Sequence, residues 1–222
     1  MLKIAEEWIN QYRWKEALWI HSGDSRQPHA LLTSGNHSNG YFNSRPVIAD
    51  VPMLRDAVSD LFEVFISQGG EVSDVEMVVG PQTGATKMAK LSGQLVSSLT
   101  RRRCLFASPA KCQESGRKFM VFTGEECPLV SNRFALLCDD VLTTGSSVKV
   151  TVSAIEEAGG FVLPYILVLV NRSGLSEVDG MKIVALIDYP MPVWTPEECP
   201  LCKVGSEAIR PKDNWERLNE FG

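Results

Sequence analysis

Short apolar segments alternate with amphipathic helices through the middle of the chain, and this order constrains the fold more than any other feature. Candidate strands lie at 76–79, 104–107, 134–138, 162–170 and 182–187. Helical spacing of apolar residues predicts helices after Pro52, over 88–99 and over 145–158. Strands that alternate with helices in this way form a mainly parallel sheet with helices on both faces. We therefore expect an α/β fold.

The length and the composition favour a single domain. The chain has 222 residues, of which 44% are hydrophobic, and this is enough to bury a sizeable core. We expect one domain over 1–222, with its core at about 52–187 and a hood or cap built from about 1–51 and 188–222. Within these outer segments, the first twenty residues suggest an amphipathic helix, 29–50 suggests turns and short strands, and 188–222 suggests an irregular cap.

Charge and hydropathy argue against nucleic acid and membranes as partners. The net charge is −5, so no overall basic field attracts nucleic acid. The longest apolar run, 161–170, contains a proline and is too short to span a bilayer. The N-terminal sequence turns acidic where a signal peptide would become apolar. With six cysteines and no visible export signal, we expect a reducing compartment and a cytoplasmic location.

The most informative segment is LLCDDVLTTGSS at 136–147, where an apolar strand is followed by two carboxylates and a loop of small residues that opens a helix. Backbone N–H groups and hydroxyls at 143–147 suit a phosphate at a helix N-terminus, where the dipole favours negative charge. Asp139 and Asp140 are acceptors suited to ribose hydroxyls or to Mg²⁺. Helix capping alone would explain one Thr or Ser, but not two carboxylates and five consecutive phosphate-type residues.

This segment resembles the signature of type I phosphoribosyltransferases that binds 5-phosphoribosyl-1-pyrophosphate (PRPP). A kinase-type P-loop is excluded because no GxxxxGK[ST] sequence occurs. The resemblance implies Mg²⁺ as the cofactor, bound through PRPP, with the two carboxylates as candidate ligands. It also implies catalytic roles for Asp139, Asp140 and Lys111. The implied PRPP-binding residues are Asp139, Asp140, Val141, Leu142, Thr143, Thr144, Gly145, Ser146 and Ser147.

A second loop, within VVGPQTGATKMA at 78–89, resembles the pyrophosphate-binding loop of the same family. It lies between a strand and a helix, one βα unit before the Asp-Asp segment. Backbone N–H groups at Gln82, Thr83 and Gly84 would form the anion-binding concavity. By itself, a strand–Gly-Pro–helix sequence is mostly ordinary turn chemistry. The implied loop residues are Gly80, Pro81, Gln82, Thr83 and Gly84.

Three further segments resemble orotate phosphoribosyltransferases. They are ALLTSGNHSNGYFN at 30–43, the arginine after the strand at 166–170, and WTPEECPLCKVGSEAIRP at 194–211, which is similar to the C-terminal segment of thermophile-type enzymes. The guanidinium of Arg172 suits the planar acceptors of a pyrimidine dione. The alternative is a surface arginine paired with an acid. The implied base-binding residues are Thr33, Tyr41, Phe42, Thr143 and Arg172.

Two features depart from the family pattern. Thr33 stands where these enzymes have a lysine that touches both ligands. The mobile loop, read at 106–116, keeps one matching lysine, Lys111, with Arg117, Lys118 or Lys87 as candidate substitutes for its missing cations. A loop with fewer cations should stabilise departing pyrophosphate less well. A different nucleobase therefore stays open as an alternative.

The resemblance implies a homodimer that transfers phosphoribosyl from PRPP to a nucleobase such as orotate. It also implies that Lys111 acts on the leaving group, either in its own subunit or in the neighbouring one. A non-catalytic PRPP-binding regulator is the other alternative. Such regulators have an additional N-terminal DNA-binding domain and a basic surface, and we expect neither here.

Cys199 and Cys202 form a CxxC sequence, which is half of a structural zinc site. Cys127-Pro128-Leu129 is similar, but no second pair completes the site at the usual spacing. We expect two small apolar residues in the cap, with zinc shared between subunits left open.

Overall fold

The computed structural model describes residues 3–220, and its main element is a six-stranded sheet. The strands of this sheet are β5 (Met77–Val79), β6 (Leu105–Ala107), β9 (Phe134–Leu142), β10 (Phe161–Asn171), β11 (Glu177–Val178) and β12 (Met181–Asp188). Their spatial order is β11-β12-β10-β9-β5-β6, and all neighbours are parallel except the antiparallel edge strand β11. The predicted α/β class is confirmed.

Helices cover both faces of this sheet. They are α1 (Ala5–Trp14), α2 (Arg45–Ala49), α3 (Val51–Ser67), α4 (Thr86–Thr100), α5 (Cys127–Val130) and α6 (Ser146–Glu157). Successive residues of a strand point to opposite faces. Leu136 and Leu167 therefore join a core with α1, α3 and α4, while Leu137 and Val168 join a second core with α6. Burial on both faces explains why these strands read as continuous apolar runs.

A smaller layer joins the two ends of the chain. It contains β1 (Leu18–Ile20), β2 (His29–Leu31), β3 (His37–Ser38), β4 (Gly40–Phe42), α7 (Pro200–Lys203), β13 (Ala208–Ile209) and α8 (Trp215–Asn219). Strand β13 pairs with β2, and Trp19 donates a hydrogen bond from its indole to the carbonyl of Leu218 at 2.8 Å. Trp19, Leu32, Ile209 and Leu218 form a third small core. We call the layer built from 18–42 and 192–219 the hood.

The structure differs from the sequence-based expectations in several elements. Strand β9 continues to Leu142, so the two carboxylates lie inside the strand instead of following it. The tail at 188–222 was expected to be irregular, but its described part contributes two short helices and a strand. Helix α1 packs through Trp8 and Tyr12 into the main core instead of forming part of the hood.

The loop predicted at 106–116 is also more ordered than expected. It contains the antiparallel hairpin of β7 (Ala110–Glu114) and β8 (Arg117–Val121). The turn residues Ser115 and Gly116 both have positive φ, 47° and 81°. Two such residues form the tight turn that fits the twist of a hairpin. The polar composition concealed the pairing because this hairpin is largely exposed.

Among residues 3–220, no helix is both long enough and apolar enough to cross a bilayer.

Candidate active site

The loop from β9 to α6 presents a row of unpaired backbone donors. Among the described residues, the N–H groups of Thr143, Thr144, Gly145, Ser146 and Ser147 have no hydrogen-bond acceptor. The first N–H groups of a helix have no partner within the helix and point outward along its axis. Together with the helix dipole, such groups favour a bound anion. The predicted loop therefore contains five backbone donors that no described residue uses.

Gly145 is needed at the turn into α6 for two reasons. Its φ is +75°, which residues with a side chain adopt at a cost. A Cβ at this position would also lie 2.8 Å from Cγ2 of Val178 on the edge strand β11. Val178 is buried against this turn, so the edge strand fixes how closely the loop approaches the sheet.

Asp139 and Asp140 lie half-buried at the carboxyl end of β9. Burial raises the pKa of Asp139 to about 8, the negative charge of Asp140 adds to the rise, and Lys111 opposes it. Among the described residues, neither carboxylate has an Arg or Lys within ion-pair distance. Two adjacent carboxylates without a counterion favour a ligand that donates hydrogen bonds or carries positive charge.

The loop Gly80–Gly84 lies beside these carboxylates. A Cβ on Gly84 would lie 2.9 Å from Oδ1 of Asp140, so only glycine allows this approach without a shift. Ser108 holds the loop from the other side. Its hydroxyl donates to the carbonyl of Gly80 at 2.7 Å, and its carbonyl accepts a hydrogen bond from the side-chain amide of Gln82 at 2.9 Å. The peptide bond between Gln82 and Thr83 is cis.

The predicted set of three donors in this loop needs one correction. The backbone N–H of Gln82 donates to the carbonyl of Pro109 at 3.0 Å, so it is already used. Within 3–220, the N–H groups of Thr83 and Gly84 have no acceptor and remain available to an anion. Pro81 is buried under the loop and contributes no donor. The concavity therefore contains two backbone donors instead of three.

Lys111 is exposed on β7, paired across the hairpin with Met120. Its charge is close enough to favour the ionised form of Asp139. The other candidate cations of the hairpin lie further toward its tip: Lys118 faces Gln113, and Arg117 faces Glu114 at the turn. Of the hairpin cations, Lys111 is the one whose charge acts on the pKa of Asp139.

Arg172 connects the end of β10 with the hood. Its guanidinium is buried and donates to the carbonyl of Gly40 at 3.1 Å and to the hydroxyl of Ser38 at 2.6 Å. Its backbone N–H donates to the carbonyl of Leu142, so Arg172 also borders the loop at 143–147, which we call the phosphate loop. Burial lowers the pKa of Arg172 to about 10. The alternative of a surface arginine paired with an acid is wrong.

Within the described chain, Nε of Arg172 is buried without an acceptor. Tyr41 lies within electrostatic range of this arginine and of Asp140: burial raises the pKa of Tyr41, the charge of Asp140 adds to the rise, and Arg172 opposes it.

Other predicted residues occupy different places. The ring of Phe42 packs in the core against Tyr12 and Tyr189, with centroids 5.4 and 5.7 Å away, so its prediction as a base contact is wrong for the side chain. Thr33 is exposed in the turn between β2 and β3. The side chain of Leu142 is buried in the second core, so it can reach a ligand only through its backbone. Val141 is paired with Val170 in the sheet, and its side chain is half-buried.

The comparisons with known proteins agree with this geometry. No protein-family model matches the sequence. The crystal structure of orotate phosphoribosyltransferase from Aeropyrum pernix matches with a TM-score of 0.58 at 20% identity, covering 81% of this chain and 92% of that chain. A phosphoribosyltransferase from Corynebacterium diphtheriae matches with a TM-score of 0.56 at 18% identity, covering 82% and 96%. The fold is that of the phosphoribosyltransferases.

Sequence relatives define the family within this fold. The orotate phosphoribosyltransferase of Campylobacter fetus is 31% identical over 211 residues, 88% of this chain and 96% of the relative. That of Thermotoga maritima is 31% identical over 195 residues, 86% and 92%. The chain belongs to the orotate phosphoribosyltransferase family.

Proposed function

We propose that this enzyme transfers the 5-phosphoribosyl group from PRPP to orotate, giving orotidine 5′-monophosphate and pyrophosphate in pyrimidine biosynthesis. The observation that carries the proposal is the row of N–H groups at 143–147 that have no acceptor among residues 3–220, separated by two residues from a pair of half-buried carboxylates with no ion-pair partner in the same range. The donors suit the 5′-phosphate and the carboxylates suit the ribose hydroxyls. The 31% identity to named orotate enzymes supports orotate as the acceptor.

Mg²⁺ fits the groups present at this position. Asp139 and Asp140 offer hard oxygen ligands, which Mg²⁺ prefers, and they have no positively charged partner at ion-pair distance in residues 3–220. When bound with PRPP, the ion would neutralise part of the diphosphate charge. We propose that it arrives with PRPP and that the two carboxylates contact it or the ribose hydroxyls.

The transfer needs no covalent intermediate on the protein. A ring nitrogen of the base loses its proton to solvent and forms a bond to the anomeric carbon of PRPP while the bond to pyrophosphate breaks. The electron pair of that bond leaves with pyrophosphate, and the configuration inverts. The N–H groups of Thr83 and Gly84 would hold the leaving pyrophosphate, and Lys111 would neutralise the charge that it gains. Closure of the β7–β8 hairpin over PRPP would exclude water, which otherwise hydrolyses it.

The base would bind between Arg172 and Tyr41. The unpaired Nε of the arginine is a donor directed at no protein acceptor within the described residues, and orotate offers two ring carbonyls and a carboxylate. Thr33 would supply only a neutral hydroxyl where family members place a lysine. Since this weakens the case for an anionic base, transfer to another nucleobase is the second candidate.

The test is release of pyrophosphate from PRPP and Mg²⁺ in the presence of orotate or of a panel of purines and pyrimidines. Release with orotate alone supports the proposal. Release with a different base keeps the fold and the reaction but changes the acceptor. PRPP binding without release with any base would favour a regulator, and would reject the catalytic proposal.

We also propose a homodimer, in which Lys111 can act in the active site of the neighbouring subunit. Light scattering during size-exclusion chromatography measures the mass of the assembly directly. A mass of a single chain at the concentrations used for turnover would exclude this arrangement.

A further inference from the structure

Two histidines and two cysteines from distant parts of the sequence meet in the hood. His29 lies on β2, His37 on β3, Cys199 directly before α7, and Cys202 within α7. One nitrogen or sulfur atom from each of the four residues lies within 4.8 Å of the others. His29, His37 and Cys199 are buried, and Cys202 is partly exposed.

The distances within this cluster suit a tetrahedral metal ion. Zinc bound at about 2.0 Å from nitrogen and 2.3 Å from sulfur separates neighbouring ligand atoms by roughly 3.3–3.8 Å. Nε2 of His29 lies 3.5 Å from the Sγ atoms of both Cys199 and Cys202. Nδ1 of His37 lies 3.2 Å from Sγ of Cys202 and 2.9 Å from Nε2 of His29. Outward shifts of a few tenths of an ångström would accommodate the ion.

A second layer of contacts fixes the orientation of His29. The hydroxyl of Ser206 donates to the carbonyl of Gln27 at 2.7 Å, and it lies 2.8 Å from Nδ1 of His29. Because the hydroxyl proton is used, Ser206 accepts the proton of Nδ1. The lone pair of Nε2 is then directed at the two sulfur atoms. Metal-binding histidines are oriented by an outer acceptor in this way.

The fold brings the four residues together through two short motifs. Leu31 pairs with His37 across the β2–β3 hairpin, so His29, two residues earlier, lies on the same face, and the two imidazole centroids are 4.9 Å apart. After α7 the chain turns at Gly205, with φ of +88°, and returns alongside β2 as β13. The CxxC turn is thereby held against the histidine pair.

We propose that His29, His37, Cys199 and Cys202 bind one zinc ion within a single chain, which joins the N-terminal and C-terminal segments of the hood. Two thiolates and two imidazoles are the donor set that zinc prefers. Four protein ligands leave no open position for a substrate, so the role is structural. The proposal does not depend on which base the enzyme uses.

The first test is the metal content of protein purified under reducing conditions without added metal. Elemental analysis should give about one zinc per chain for the wild type. Cys202→Ser should lose most of it, and Cys127→Ser should retain it. Cys127 is a matched control because it begins the other Cys-Pro-Leu sequence, and it lies outside the cluster. Zinc well below one per chain, or equal zinc in the two variants, would overturn the proposal.

A second test does not depend on the variants folding. Wild-type protein stripped with a chelator is titrated with Co²⁺ and followed by visible absorption. We expect a strong tetrahedral spectrum with a thiolate-to-cobalt band that saturates at about one equivalent and disappears on addition of Zn²⁺. A weak octahedral spectrum, or Cys199 and Cys202 recovered as a disulfide that binds no metal after reduction, would refute it.

Discussion

The phosphate loop and the hood are built in opposite ways. Residues 139–147 supply two carboxylates and five N–H groups without an acceptor in the described part of the chain, all from one continuous segment at the end of a central strand. The hood assembles its histidines and cysteines from segments that are 173 residues apart in sequence. A continuous site can be recognised from its residue order, whereas an assembled site depends on how two ends of the chain pair.

Arg172 is where the two regions meet. Its backbone contacts the phosphate loop through Leu142, and its side chain contacts the hood at Ser38 and Gly40. Ser38 is adjacent to His37, one of the four residues of the metal cluster. The hood therefore holds the side chain of Arg172, which we propose binds the base, while the carboxyl end of β9 holds the groups that we propose bind PRPP. Substitutions at Arg172 should therefore change the KM for the base, whereas substitutions at the carboxylates should change the affinity for PRPP.

The largest effect on turnover is expected from a substitution of Lys111, which we propose neutralises the leaving pyrophosphate. Lys111→Ala should lower kcat by about 100-fold, since removing one group that stabilises transition-state charge typically costs this much. Lys118→Ala, on the other strand of the same hairpin, is the matched control and should have a small effect. Steady-state turnover at saturating substrates measures both. A larger loss in the control would move the catalytic role to Lys118.

The next largest effect is expected on the affinity for PRPP. Asp140→Asn should weaken PRPP binding roughly 10- to 100-fold, because it removes the charge from acceptors of ribose hydroxyls or of the ion. The KM for orotate should change little. Asp179→Asn is a suitable control, as this exposed carboxylate pairs with Lys149 on α6 outside the loop. Titration calorimetry with PRPP and Mg²⁺ gives the affinities, and equal affinities in the two variants would contradict the assignment.

Arg172→Lys should affect the other substrate, orotate. The substitution keeps the charge but removes the planar fork, so the KM for orotate should rise about tenfold while the KM for PRPP stays near the wild-type value. The melting temperature of the variant is the control, because it shows whether loss of the contacts with Ser38 and Gly40 destabilises the fold. If both KM values rose equally, the separation between base and PRPP regions would be wrong.

The smallest effect concerns stability. The pKa of Asp139 is raised to about 8 in the folded state, above its ordinary value of 3.8, so ionisation opposes folding. Its stabilising contribution is complete below pH about 4 and is lost as pH rises toward 8. In ligand-free protein with EDTA, Asp139→Asn should therefore melt a few degrees higher than wild type at pH 8 and by a smaller margin at pH 5. Equal margins at both pH values would argue against the raised pKa.

The sequence was sufficient for the parallel sheet and for the strand–loop–helix unit at 134–157, because both depend on local patterns. Apolar runs of buried strands and the order of residues 136–147 are visible without knowing which segments pair. The donor at Gln82 was misassigned because its acceptor, Pro109, belongs to another loop. Phe42 was misassigned because its ring is directed into the core by neighbours from α1 and from the residues after β12.

The metal cluster was missed for the same reason. The CxxC sequence was visible, but its partners are histidines in the β2–β3 hairpin, and a search for a second cysteine pair at the usual spacing could not find them. The available signal was the separation of His29 and His37 by a short hairpin turn. Only the pairing of β13 with β2 shows that this hairpin lies against the C-terminal cysteines.

The most direct measurement is to identify the product formed from orotate, PRPP and Mg²⁺ by mass spectrometry, with wild-type protein and the Asp140→Asn variant in parallel. We expect orotidine 5′-monophosphate and stoichiometric pyrophosphate with the wild type, and a strongly reduced rate with the variant at low PRPP. Unchanged orotate in the presence of folded wild-type protein that binds PRPP would contradict it.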